Sequence, residues 1–387
     1  MARVCMIAYT HYSTDSRVRR EAEALATRGD RVDVICLGGA LPASEAKGVR
    51  VYEPWKLRYR GERRIAYVAQ YGGFFLLAAL LAGWLHLRRR YHVVQVHTMP
   101  DFMVFAAAVP KLLGAKVLLD VHDLTPELYA SKFEAPSDSK LVRLLTWVER
   151  RSIAFADRAI AVHAPHLDAL VEHGSPREKF TVVMNVADPE VVRPPKGSPP
   201  PHDTFRLVYH GTVARRHGLE FALRAIAHAR DSVSGLELTV AGDGDDVDRL
   251  LALVSELGLD DAVTFRRGFV PFAELAPTLA AADVGVVPIY DDSFTRYMLP
   301  VKLMEYVALG IPAICTSTRT IRAYFDDSMV RFVEAGNVDD LAAAIVELHA
   351  DPQKRRDLVD AASAFNREFG WPAESARYRA LIDSLAG

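Results

Sequence analysis

Short apolar runs alternate with helix-length amphipathic segments along two stretches of a 387-residue chain. A proline-rich segment, Pro194-Pro195-Lys196-Gly197-Ser198-Pro199-Pro200-Pro201, separates the two. In the first stretch, residues 4–9, 31–37, 93–97, 116–121, 159–162 and 180–184 read as buried strands. In the second, 205–209, 237–241, 263–266, 284–288, 311–315 and 330–333 do so. Strand, helix and strand at this spacing form a βαβ unit, and such units build parallel sheets. Two runs of them predict two doubly wound, Rossmann-like α/β domains facing a cleft, at 1–193 and 203–370, joined by a semi-rigid linker.

Composition narrows the function. Formal net charge is −2, so no bulk electrostatic case exists for a nucleic-acid partner. Cys5, Cys36 and Cys315 all fall in apolar runs without metal-type spacing, which reads as reduced core thiols and a cytoplasmic setting. No signal peptide is expected, because residues 4–9 enter a strand almost directly after Met1.

Residues 296–317 carry the densest local information. Pro300 suits a first helical position, Leu303, Met304, Val307 and Ala308 recur at helical spacing, and Gly310 and Pro312 stop the helix. Lys302 and Glu305 lie one turn apart on it and can point the same way. A surface ion pair is the plain reading. The helix also begins directly after a loop containing Arg296, and a helix start is a ready anion site. Phosphate at that start, with a ribose diol donating to the acceptor-only Glu305 carboxylate, would suit a nucleoside diphosphate.

The pattern Pro300-x-Lys302-Leu303-x-Glu305-Tyr306-x-Ala308-x-Gly310-x-Pro312 resembles the donor-binding helix of retaining glycosyltransferase family 4, which has the GT-B architecture. The resemblance covers nearly the whole chain and implies transfer of a sugar from a nucleotide-sugar donor, with no cofactor and no essential metal. It also implies that the last helix, about 371–387, returns to the first domain. The family often carries a second acidic residue two turns before the glutamate. Tyr297 stands there in this chain, with Asp291 and Asp292 as substitutes to be tested. A pyrophosphate clamp is implied at Gly211 to Gly218, with Arg215 or Arg216 as its charge, because His217 replaces the usual lysine. Gly268 and Phe269 match a segment flanking the nucleobase. Asp243-x-Asp245 is read as turn and helix cap rather than as a metal motif.

In the first half, the loop after the first strand allows two readings. Ser13 and Arg17 line the ligand side, or Asp15 or Ser16 merely caps the next helix and the arginines are solvated. His122-Asp123 leaves the carboxyl end of a strand, and the resemblance aligns His122 with a residue near the transferred sugar. His97 and Asp101 join it on the acceptor side. Residues 65–87 form a long apolar segment followed by Arg88-Arg89-Arg90 and preceded by Arg58, Arg60, Arg63 and Arg64. Its uninterrupted part, 71–85, falls short of the ~20 residues that span a bilayer. It is a buried helix or one partly immersed in an anionic membrane surface.

The expectation is therefore a transferase that retains anomeric configuration and acts on an acceptor hydroxyl, a lipid-linked sugar among the options, in cell-surface polysaccharide or glycolipid synthesis. A nucleotide-sugar epimerase of the same fold, or a non-catalytic binding subunit, is the alternative.

Overall fold

The structure is a computed structural model that describes residues 1–38, 47–55, 64–188, 192, 203–268 and 272–387, the side chains of 64–68 and 272–273 excepted. The proline-rich linker, Phe269, Arg58, Arg60, Arg63 and the Arg64 side chain lie outside the described residues. The chain divides into two compact units, Met1–Asn185 with Pro372–Gly387, and Val186–Trp371.

Unit 1 holds strands β1 (Arg3–His11), β2 (Arg31–Leu37), β3 (Arg50–Trp55), β4 (Val93–His97), β5 (Lys116–Val121), β6 (Arg158–Ala161) and β7 (Phe180–Val182). They form one sheet in the order β3-β2-β1-β4-β5-β6-β7, parallel at every pairing. Its helices are α1 (Ser16–Thr27), α2 (Arg64–Arg89), α3 (Ala108–Leu112), α4 (Thr125–Phe133), α5 (Lys140–Phe155) and α6 (Ala164–Glu172). Unit 2 repeats the plan with β8 (Phe205–His210), β9 (Leu236–Ala241), β10 (Val263–Arg266), β11 (Val284–Val287), β12 (Ala313–Thr316) and β13 (Arg331–Val333). Their order is β10-β9-β8-β11-β12-β13. Helices α7 (Leu219–Ala229), α8 (Val247–Glu256), α9 (Phe272–Ala280), α10 (Val301–Leu309), α11 (Arg319–Arg322), α12 (Val338–Ala350) and α13 (Pro352–Phe369) accompany them, and α14 (Trp371–Ala386) is the last element. Both sheets reverse direction of growth beside their first strand, and such a switch point opens a crevice at the strands' carboxyl ends.

Three elements depart from the sequence reading. Residues 50–55, without clean alternation, form the edge strand β3, where Pro54 is tolerated because an edge leaves one N–H unused. Residues 101–107 are a 3-10 turn ahead of a short α3, rather than one helix over 102–113. Pro110 explains this, since it has no N–H for the Ala106 carbonyl and its ring crowds that group. Residues 125–133, for which the sequence reading names no element, make α4.

Helix α2 extends well past its apolar middle, and Ala69–Arg89 alone is long and apolar enough to cross a bilayer by length and composition. The structure gives it two faces. Phe74, Ala78, Ala82 and Leu85 are buried, and the Trp55 ring lies where a side chain on Gly73 would go. The opposite face leaves Leu76, Leu80, Trp84 and Leu87 exposed.

Gly285 in β11 shows how closely α10 sits on its sheet. A Cβ added there would lie 2.4 Å from the Tyr306 ring, which is fully buried. Gly285→Ala is expected to lower stability by about 1–3 kcal/mol, the usual cost of overpacking. Urea unfolding of the two proteins measures it, and an unchanged midpoint would mean that α10 shifts freely.

Candidate functional site

In unit 2, β8 ends at His210 and the next residue, Gly211, turns with φ +104°. Glycine matters here for close approach as well as for φ. A Cβ on Gly211 would stand 3.5 Å from Lys302 Cε, while Cβ atoms on Gly242 and Gly244 would strike the Gly211 and Val213 carbonyls at 1.9 Å. The loops after β8 and β9 therefore lie one on the other. Asp243 accepts from the Gly244 N–H, and Asp246, at the start of α8, gives its carboxylate to Arg249 rather than to the helix N–H groups. Turn chemistry thus holds for this acidic segment, but the cap expected of Asp245 or Asp246 does not form through an Asp246 side-chain hydrogen bond.

Lys302 is the focus of this loop pair. Its Nζ donates to Tyr209 Oη at 2.8 Å and lies 4.0 Å from the centre of that ring. Tyr209 passes its own proton to the Thr212 carbonyl, which also accepts from His217 Nδ1 at 2.6 Å. Burial pulls the Lys302 ammonium down to about 7, and the Glu305 charge offsets part of that drop. His217, at the family's lysine position, is buried and held down to about 3 by burial and by Lys302, so it is a neutral support. Arg216 is half-buried, its Nε lacks a partner among the described residues, and its charge reaches both Tyr209 and His217. Arg215 is exposed. Of the two arginines left open by the sequence, Arg216 belongs to the Lys302 neighbourhood.

Glu305 lies one turn along α10, at the base of which Pro300 is the cap and Gly310 the left-handed stop. His210 Nε2 donates to the Glu305 carboxylate at 2.6 Å, and His210 Nδ1 meets Tyr306 Oη at 3.1 Å. This support was missed at the sequence level, where His210 was one residue of a loop. Its place at the end of β8, beside Gly211, was the available signal. Arg296 sits in a 3-10 turn, half exposed, 3.5 Å from Asp291. Asp292 accepts from the Phe294 and Thr295 N–H groups and the Thr295 hydroxyl, so it shapes its own loop. Tyr297 lies under the Arg319 guanidinium. Asp292 is thus committed to its loop, whereas Asp291 stays partly exposed on the wall of a cavity. Gly268 is half-buried at φ +92°.

Unit 1 gathers a second group. Asp15 caps α1 by accepting from the Val18 N–H. Arg17, expected either to face ligand or to be solvated, is not solvated, and it is on the wall of a cavity with His122. It is buried and donates Nε and Nη2 to the two oxygens of Asp120 at 2.8 and 2.7 Å, and also to the Val183 carbonyl. Asp120 Oδ2 further meets His97 Nδ1 at 3.0 Å and His122 Nε2 at 2.9 Å. Although burial disfavours its charge, Arg17 and then His122 hold this carboxyl well below the usual carboxylate range. His97, Asp120 and His122 are close enough to hold a metal ion, but both Asp120 oxygens already serve Arg17. The sequence could have shown Asp120, since it shares a strand face with His122 two residues on.

His122 and Asp123 line a cavity of about 290 Å³ with Thr10, Thr14, Arg17 and Asn185. Ser13 belongs to the same loop and is not on that wall. Asp101 is fully buried and is not on that wall; burial and then the Glu149 charge push it up to about 7, and it also feels the Asp123 charge.

Two parallel sheets of this topology, one carrying a half-buried cation beside a glycine turn at a helix start, define a GT-B-type transferase. One family model, described as "Glycosyl transferases group 1", matches residues 204–351, and another, "Glycosyl transferase 4-like domain", matches 14–186. The chain belongs to this glycosyltransferase family. It is 29% identical over 255 residues to the D-inositol 3-phosphate glycosyltransferase of Paenarthrobacter aurescens, covering 61% of this chain and 60% of that relative. Under two thirds of the relative's length is therefore matched. In fold it resembles the sucrose-phosphate synthase of Thermosynechococcus elongatus, at 20% identity and TM-score 0.77, over 100% of this chain and 99% of that one. It also resembles HepE of Anabaena in complex with UDP, at 15% identity and TM-score 0.74, over 99% and 100%.

The Lys302 ammonium gives a direct test of this electrostatic picture. Folding lowers its pKa from 10.5 to about 7, so the unfolded chain holds the proton more tightly and stability rises with pH between those values. Lys302→Met is expected to be more stable than the parent at pH 6, with an advantage that shrinks toward pH 10. One pKa unit is worth about 1.36 kcal/mol, so the drift should reach a few kcal/mol. Denaturant unfolding across pH reads it, and a constant difference would place Lys302 in water.

Proposed function

We propose that this chain moves a sugar from a nucleotide-sugar donor to an acceptor hydroxyl with retention of anomeric configuration. The observation that carries this reading is Lys302, half-buried over Gly211 and one turn from a Glu305 carboxylate that His210 orients. Departure of a nucleoside diphosphate builds negative charge on its terminal phosphate. Lys302, Arg216 and the open N–H groups at the start of α10 are fixed in advance to receive that charge. Glu305 accepts from the ribose diol, and the backbone at Gly268 flanks the base. His122, held by Asp120, orients the sugar, and the acceptor hydroxyl attacks on the face the diphosphate leaves. With the leaving group met by protein cations, activity needs no divalent metal. The relative named above acts, by its name, on D-inositol 3-phosphate, and the Anabaena structure holds UDP. A sugar or polyol acceptor and a nucleoside diphosphate sugar fit the present residues. The exposed stripe on α2 supports a lipid-linked acceptor met at the cytoplasmic face of a membrane.

The deciding assay incubates the protein with UDP- and GDP-sugars and an acceptor panel, with and without chelator, and follows products by NMR. Transfer with an unchanged anomer is expected in both conditions. An inverted product removes retention, metal-dependent transfer removes the cation argument, and an epimer formed without acceptor favours an isomerase. The Asp120–His97–His122 network could supply acid and base for that isomerase.

Calorimetry with UDP and GDP examines the site itself. Glu305→Ala should weaken binding by about 1.5–3 kcal/mol, the worth of a charged hydrogen bond. At pH 8 the parent should take up a proton as diphosphate restores the Lys302 charge, seen as heat that varies with buffer ionisation enthalpy. Equal affinity in Glu305→Ala, or no proton uptake, would detach these residues from the donor.

A further inference from the structure

The strands of unit 1 run parallel, so the edge where they begin is opposite the edge that carries His122. Arg3, Arg31 and Arg50 are the first residues of β1, β2 and β3. Helix α2 ends at Arg89, and Arg88, Arg89 and Arg90 join the other three around a cavity of about 400 Å³. Asp33 is the carboxylate on its wall, and it is already committed to Arg89 and to the Tyr91 hydroxyl. Arg3 donates to the Arg90 carbonyl at 2.7 Å, and Arg88 lies over the Trp84 ring at 4.0 Å. Among the described residues, Arg3, Arg31, Arg50, Arg88 and Arg90 have no carboxylate partner. Like charges held in one concavity repel, and an anion there would relieve them all at once. The field is felt nearby: burial and the Arg3 charge hold the His92 imidazole below its ordinary range.

We propose that this cavity binds a phosphomonoester or diphosphate group, at a site separate from that around Lys302 and Glu305. Guanidinium forks suit such oxygens, and the strand starts and helix end hold several of them on rigid elements. The rim adds an argument for the source. Leu76, Leu80, Trp84 and Leu87 form one exposed helical stripe leading to Arg88, with side chains 47–72% exposed. An apolar stripe that ends in a phosphate-binding cavity suits a lipid headgroup, whose chains and phosphate lie in that order. A soluble polyphosphate offers the same anion without the chains.

The test uses the full chain in a Lys302→Met background, so that the donor site does not contribute. Binding of tripolyphosphate is measured by calorimetry, and binding to vesicles of phosphatidate in phosphatidylcholine by flotation at low salt. At least one probe should bind, and Arg31→Gln with Arg50→Gln and Arg90→Gln should weaken it by about tenfold or more. Arg50→Glu alone, an exposed edge position, should weaken it in the same direction if the triple variant folds poorly. Binding to vesicles alone assigns a lipid source, and binding of tripolyphosphate alone assigns a free polyanion. Binding of neither probe, or binding that the arginine changes leave intact, overturns the site. Donor transfer can fail or succeed independently, because no residue of this cavity belongs to the donor site.

Discussion

The Arg17–Asp120 pair is the interaction on which unit 1 depends. Asp120 is completely buried in β5 and carries a charge that burial alone would forbid. Arg17 meets it with two parallel hydrogen bonds and ties the first turn of α1 to the centre of the sheet. His97 from β4 and His122 from the loop after β5 then share the same oxygen. One carboxylate thus sets where a helix begins, how two neighbouring strands register and which way the more exposed histidine points. Glu21 and Gln95 extend the network, and the Tyr378 hydroxyl of α14 closes it on Gln95 at 2.6 Å.

Unit 2 uses the opposite arrangement. Its half-buried cation, Lys302, has a tyrosine hydroxyl and a ring face for company and, among the described residues, no carboxylate in contact. Arg216 adds a second positive group to the same neighbourhood. A folded state that leaves cations underpaired beside open backbone N–H groups is held together by surrounding packing, here the β8 and β9 loops pressed together at Gly211, Gly242 and Gly244. The carboxylate of unit 1 is matched inside the fold by a guanidinium, whereas the ammonium of unit 2 is met by neutral groups.

Most strands and the topology were legible in the sequence because buried parallel strands are continuous apolar runs, and α10 was legible because proline and glycine punctuate it. Edge strand β3 was not, since it is only half-buried and lacks such a run. Glu305 and Lys302 were legible from their spacing on one helix. The Arg17 ion pair was not legible because its partner is 103 residues away, and sequence spacing says nothing about ion pairs of that range. His210 was missed for the same reason, since only the fold brings it to Glu305, whereas Asp120 lies two residues before His122 and was within reach of the sequence. The burial of Asp101 and its nearness to Glu149 were not legible either, because Glu149 is on a distant helix.

Helix α14 has a consequence for the order of events during synthesis. Tyr378, Leu381 and Ile382 are in the same core as β1, β2 and β4, and Glu374 receives the Met184 N–H at 2.8 Å. The sheet made first therefore waits for residues that follow the whole of unit 2 in the chain, while unit 2 has all its parts by Trp371. Domains tend to fold as they emerge, and exposed apolar surface on an unfinished one invites association. On a ribosome the second unit can close before the first, and the first remains open along the groove that α14 fills until translation reaches it.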